Sequence, residues 1–226
     1  MRIFRVLLIT LFMLFATDYV IAKDFNVTEN VKIQQEINKT GFNLLNSSNY
    51  HKRITFYLVP QNKVKTKINK RTNRIYVYKG TLTYIEDPNE LAALLSLDIA
   101  KLMDYKAGFF RQFSISFSPR KYEIKADKKA VDLMAKAGYN PVALINLMNK
   151  TAEEPNWFEH NIMHHKGKER ATYIYQYIYE KYPVYIANNT YLKEYEYQNF
   201  LRVTPKARKK VRFIQQERIK IQDSEK

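Results

Sequence analysis

Cysteine is absent from the 226-residue sequence, and glycine is scarce at five residues. The first absence excludes a disulfide framework, a lipid-modified cysteine, a thiolate metal site and a cysteine nucleophile, so packing has to hold the fold together. The second leaves no phosphate-cradling glycine loop. Neither a G-x-S-x-G elbow nor a recognisable arrangement of Ser, His and Asp supplies a nucleophile. Histidine is limited to four residues, and acid is outnumbered: 22 Asp and Glu face 38 Lys and Arg, a net charge of +16. A surface of that sign attracts anions of every kind. With 46% hydrophobic residues the chain can bury a real core, and its length suits one domain.

The N-terminus has the pattern of a secretory signal. Arg2 and Arg5 precede an apolar run from Val6 to Phe15, and a small-residue exit follows at Val20, Ile21 and Ala22. Asp18, so close to the end of that run, argues for a short export segment cleaved after Ala22 over a full span of about 20 apolar residues. Retention as an uncleaved anchor is the alternative. The expected division is a signal peptide over 1–22, a folded domain over 23–200 and a basic helical tail over 201–226.

Along the chain, Thr28 to Leu45 places Val31, Ile33, Ile37 and Leu44 near helical spacing after a capping threonine, and Gly41 is expected to end that helix. The segments RITFYLVP and NRIYVYKGTLTYI alternate β-branched and aromatic residues. They predict two strands, separated by a lysine-rich turn region from Lys63 to Arg71 whose charges would blunt an exposed edge. Asp87 and Pro88 open a helix reaching about Tyr105, with a capping acid and proline at the first helical position. Further helices are expected from about Lys121 to Lys136, stopped at Ala137 and Gly138; from Pro141 to Asn149; across the tyrosine-rich stretch Lys168 to Tyr182; and after Pro205. The fold class is therefore α+β, mostly helical with a small sheet.

The helix opened by Asp87 sets a puzzle, because Asp98 and Lys101 interrupt its apolar run three residues apart. Its wording, DPNELAALLSLDIAKLM, resembles the active-site helix of HtpX/BepA-type zinc metallopeptidases, the gluzincin endopeptidases, where an acidic cap and E-L-A-A lead into H-E-x-x-H. On that resemblance the two zinc-binding histidines and the general-base glutamate fall on Leu97, Lys101 and Asp98. The stretch KYEIKADKKAVDLMAKAGYNPVALINLMNK is similar to the family's second helix, E-x-E-A-D with A-G-Y-d-P beyond it. The resemblance then puts the zinc-binding glutamate on Lys125, with Glu123 and Asp127 matching the neighbouring acids. HHKGKERATYI resembles the late T-H-P-x-x-x-x-R-i motif, which implies that His164 and Arg170 belong to the cleft. Upstream, Gly80 matches the family's strand-and-turn glycine, while the substrate-side Asn-Ala pair falls near Thr66 and Lys67.

Zinc needs neutral imidazoles or ionised carboxylates as lone-pair donors. Leu97 has no lone pair to give, and Lys101 and Lys125 carry charge that repels a cation. Without a metal to acidify water, Asp98 is an ordinary carboxylate, and a helix salt bridge to Lys101 is the plainer account of it. Lys125 is expected to approach the same place, so that ammonium groups occupy the space of the lost cation. A relocated zinc site is the competing reading, since His160 and His164 stand four apart with His165 next and Asp98 available as a third ligand.

These readings imply an exported zinc-metallopeptidase homologue with its catalytic centre erased and no cofactor. It would bind a polypeptide or envelope protein in a chaperone-like or scaffolding role. An active metalloendopeptidase using zinc at an atypical site is the alternative. A second alternative is a basic protein that holds an anionic membrane surface or polyanion through Lys206, Arg208, Lys209, Lys210 and Arg212 of the tail. Nucleic acid is disfavoured for an exported chain.

Overall fold

The computed structural model describes residues 28–50, 53–104, 119–151 and 167–224. The proposed export segment, and with it His160, His164 and His165, lies outside the described residues.

Helix α1, residues 28–46, runs straight through Gly41. That glycine answers a packing demand: a Cβ there would stand 2.5 Å from the ring of Phe56. The expectation that Gly41 ends the helix is thus overturned by close approach of a strand. That strand is β1, Thr55–Val59, and it lies parallel to β3, Arg74–Tyr78. Strand β2, Thr66–Asn69, pairs antiparallel with β3, which gives the order β1-β3-β2. Among the described residues the sheet therefore has three strands, the third drawn from the lysine-rich segment expected to be a turn. The residues expected to prolong β3 instead coil into a 3-10 segment, Lys79–Tyr84.

The two edges of this sheet are treated differently. On β1, the Gln34 side chain of α1 donates to the Phe56 carbonyl at 3.1 Å and accepts from the Leu58 amide at 2.6 Å. One side-chain amide thus closes the outer edge as a neighbouring strand would. Among the described residues no strand pairs with the outer side of β2.

Helix α2, Pro88–Asp104, starts where Asp87 Oδ1 accepts from the amides of Asn89 at 2.6 Å and Glu90 at 3.0 Å. From Glu90 to Ala100 every residue is buried, so this is the central rod of the domain. It packs against β2, against α3 (Pro119–Lys136) and against α4 (Ala143–Lys150). Helix α3 ends in a Schellman turn: Gly138 has φ 81°, the Tyr139 amide donates to the Met134 carbonyl at 2.9 Å, and Gly138 donates to Ala135 at 3.3 Å. The tyrosine-rich helix α5, Gly167–Lys181, lies on α3 and α4. Its Ile174, Tyr175 and Ile178 are buried, so the broad aromatic face is mainly packing surface.

Three further elements follow α5: α6 (Pro183–Ala187), a 3-10 segment (Thr190–Lys193) and α7 (Tyr195–Val203). The basic tail forms α8, Pro205–Ser224, which starts against α5. There Arg208 lies 5.9 Å from the Tyr175 ring centroid and donates to the Leu201 carbonyl at 2.6 Å. The architecture is α+β, mostly helical with one small mixed sheet. Among the described residues no helix is long and apolar enough to cross a membrane.

Candidate functional site

Because α2 is buried all round from Glu90 to Ala100, any polar residue in that stretch has to meet its needs inside the protein. Asp98 is 3% exposed, and its Oδ2 has no hydrogen-bond partner among the described residues. Burial pushes its carboxyl above the usual carboxylate range, and the Lys101 ammonium and the Thr66 side chain only partly offset this. Lys101, half-buried one turn on, is pushed the other way: burial lowers its pKa, while the Asp98 carboxylate works against that. Burial thus outweighs the mutual attraction of the two groups, and among the described residues no ion pair within 4 Å joins them, so the expected helix salt bridge is not formed.

Thr66 places the edge strand β2 at this point of α2. From the opposite side, α3 presents Asp127 and α5 presents Arg170. Both are buried, and the pair is bidentate: Nη2 to Oδ1 at 2.6 Å and Nε to Oδ2 at 3.0 Å. Desolvation lowers the pKa of Arg170, but Asp127 and Glu123 beside it more than compensate and hold the guanidinium charged. Arg170, Asp127 and Glu123 also act on Lys101. Asp98, Lys101, Glu123, Asp127 and Arg170 thus form one electrostatically coupled group spread over α2, α3 and α5, with β2 reaching it at Thr66.

Of the residues singled out from sequence, Asp98, Lys101, Glu123, Asp127 and Arg170 are brought together, and Leu97 is buried in the core beside them. Lys125 is not brought in. It lies on the exposed side of α3 and is not among the groups acting on Asp98 or Lys101. The reason is helical phase: Glu123 and Asp127, four apart, share the face turned toward α2, and the residue between them is carried round to the other side. The second cation in the cluster is Arg170. His164 lies outside the described residues.

The cluster does not fit a zinc ion. Leu97 has no donor atom, Lys101 and Arg170 bring positive charge, and both carboxylate oxygens of Asp127 are already committed to Arg170. Among the described residues no group of three or more His, Asp or Glu could hold a metal ion.

Sequence reasoning misplaced one feature and missed another. Glu123 was recoverable from its spacing to Asp127 and was assigned a neighbour's part. The other is on α3, where Asp132 accepts from the hydroxyls of Tyr177 at 3.0 Å and Tyr182 at 2.8 Å and pairs with Lys181 at 2.8 Å. No local signal links residues so far apart in the chain. In the tail, Lys206, Lys209 and Lys210 are exposed, but Arg208 is engaged in packing, and the Arg212 side chain is outside the described residues.

Set against protein-family models and curated proteins, the chain matches none of them.

Proposed function

We propose that the chain is an exported, metallopeptidase-like protein without a working zinc centre, and that it binds extended polypeptide along the outer edge of β2. The observation that carries this reading is the asymmetry of the sheet. Gln34 closes the β1 edge, while the β2 edge stays unpaired among the described residues and lies directly beside α2 and its charge cluster. An edge strand offers a row of backbone donors and acceptors to an incoming chain, which is the chemistry of strand addition. The cluster supports the loss of catalysis, since Lys101 stands at a position that the resemblance gives to a zinc-binding histidine, and Leu97 at the other.

The test is a titration with a permanently unfolded, fluorescently labelled polypeptide. Saturable binding is expected, and a short peptide ligand should lose it when alternate backbone amides are N-methylated. Equal binding of the methylated peptide overturns strand addition. Stoichiometric zinc in the purified chain, with chelator-sensitive proteolysis, overturns the inactive reading. Helical phase also sharpens a constructive test of the resemblance: Leu97→His, Asp98→Glu and Lys101→His, with Glu123 left as the third ligand, should create zinc binding that the parent lacks. A folded variant with no gain in zinc affinity counts against the family relationship.

A further inference from the structure

The outward face of the sheet is chemically unlike the rest of the molecule. Between Glu36 and Glu86 the sequence contains no acidic residue and ten Lys and Arg. Strand alternation sorts them: Phe56, Ile75 and Val77 are buried on the inner face, and Thr66 meets Asp98 there. Tyr57, Arg74, Tyr76, Tyr78 and Lys67 take the other face. Tyr57 is directly across from Tyr76, which is across from Lys67. Tyr57 is 39% exposed, and Arg74 and Lys67 are exposed.

The arrangement of the rings narrows the choice of partner. Tyr57 and Tyr76 stack on each other at 5.4 Å between centroids with an interplanar angle of 23°. Arg74 lies 5.5 Å from the Tyr57 centroid, and Lys65 lies 4.8 Å from that of Tyr78. The ring faces on which nucleic-acid bases would stack are thus largely taken up by the protein's own rings and cations. What remains on offer is a layer of ring edges and phenol oxygens, that of Tyr76 held by the Arg74 side chain, among positive charges. Tyrosine occupies that mixed polar and apolar position at the headgroup level of a bilayer, and Lys and Arg beside it attract anionic lipid.

We infer that this outer sheet face, with Tyr57, Tyr76, Lys65, Lys67 and Arg74 at its centre, docks on a bilayer surface rich in anionic phospholipid. The inference is independent of polypeptide binding, which uses the edge of β2 rather than this face. It also moves the membrane-facing surface from the tail to the sheet.

The experiment is co-sedimentation of the full chain with phosphatidylcholine vesicles that contain or lack phosphatidylglycerol, read as the ratio of anionic to neutral partitioning. Each Lys or Arg near an anionic surface adds about fivefold, so Lys65→Gln, Lys67→Gln and Arg74→Gln together should lower the ratio about a hundredfold. Lys206→Gln, Lys209→Gln and Lys210→Gln together should lower it far less. If the sheet triple variant does not fold, Lys67→Gln alone, at an exposed position, should still cost about fivefold. The inference is overturned if the folded sheet variant partitions like the parent, if the tail variant loses the preference instead, or if single-stranded oligonucleotide or a sulfated polysaccharide binds while anionic vesicles do not.

Discussion

Helix α2 carries two buried polar centres built on opposite terms. At its N-terminus Glu90 is fully buried, yet its carboxylate is well supplied. Oε1 accepts from Asn146 Nδ2 and meets Lys150 Nζ, each at 2.8 Å, and Oε2 accepts from the Glu86 amide at 2.8 Å. Next to it Asp87 accepts from the Tyr191 hydroxyl at 2.6 Å, and burial together with Asp87 pushes that hydroxyl far above its usual range. Further along, Asp98 has an oxygen with no hydrogen bond among the described residues, and burial raises its carboxyl and depresses Lys101. The first centre has the character of a fastening, holding α2 to α4 and to the segment after α6. The second bears unrelieved desolvation at the place where sheet edge and helices converge, as functional sites do more often than fastenings.

Three measurements break or sharpen that contrast. The largest effect is expected for Arg170→Met, which strands the buried Asp127 carboxylate; unfolding in urea should show a loss of about 3–5 kcal/mol. A loss below about 1 kcal/mol would mean that Arg170 does not tie α5 to α3. Next comes Glu90→Gln, which keeps the shape and one acceptor but removes the charge facing Lys150. About 1–3 kcal/mol should be lost in the same assay, and a neutral result would remove the fastening role.

The smallest effect at neutral pH is expected for Asp98→Asn, within about 1 kcal/mol, because the amide escapes the desolvation that the carboxylate suffers. Its signature is pH dependence. The native pKa of Asp98 lies above the unfolded value of about 3.9, so the native state holds this proton more tightly. The resulting stability is fully present below about 3.9 and is lost as pH rises through the raised native value. The parent should therefore gain on Asp98→Asn as pH falls from neutrality toward about 4, then level off. A difference independent of pH, or one of opposite sign, would show that Asp98 is not the strained group.

Much of the domain was legible beforehand. The start of α2 was announced by Asp87 and Pro88, the end of α3 by Gly138, and the tail helix by Pro205, because capping and backbone restriction are local effects. Gly41 was misread because the same missing Cβ serves as a helix stop or as room for a neighbour, and the ring of Phe56 comes from another element. Strand β2 was hidden by its length of four residues and by lysines that mark an edge strand as readily as a turn. At the site, Asp98, Lys101, Glu123, Asp127 and Arg170 were all named from sequence. The part given to Lys125 failed because a motif matched letter by letter carries no statement of helical phase.

Composition and local pattern alone were enough to establish a cysteine-free, strongly basic, mostly helical α+β chain with its helix ends in place, since those properties depend on neighbours within a few residues. Long-range packing settled the rest: that Arg170 and not Lys125 acts on Lys101, that Gln34 closes one sheet edge, and that Tyr57, Tyr76, Tyr78, Lys67 and Arg74 share a single outward face. Each of these is a meeting of residues distant in the chain, governed by burial and geometry that no window of sequence contains.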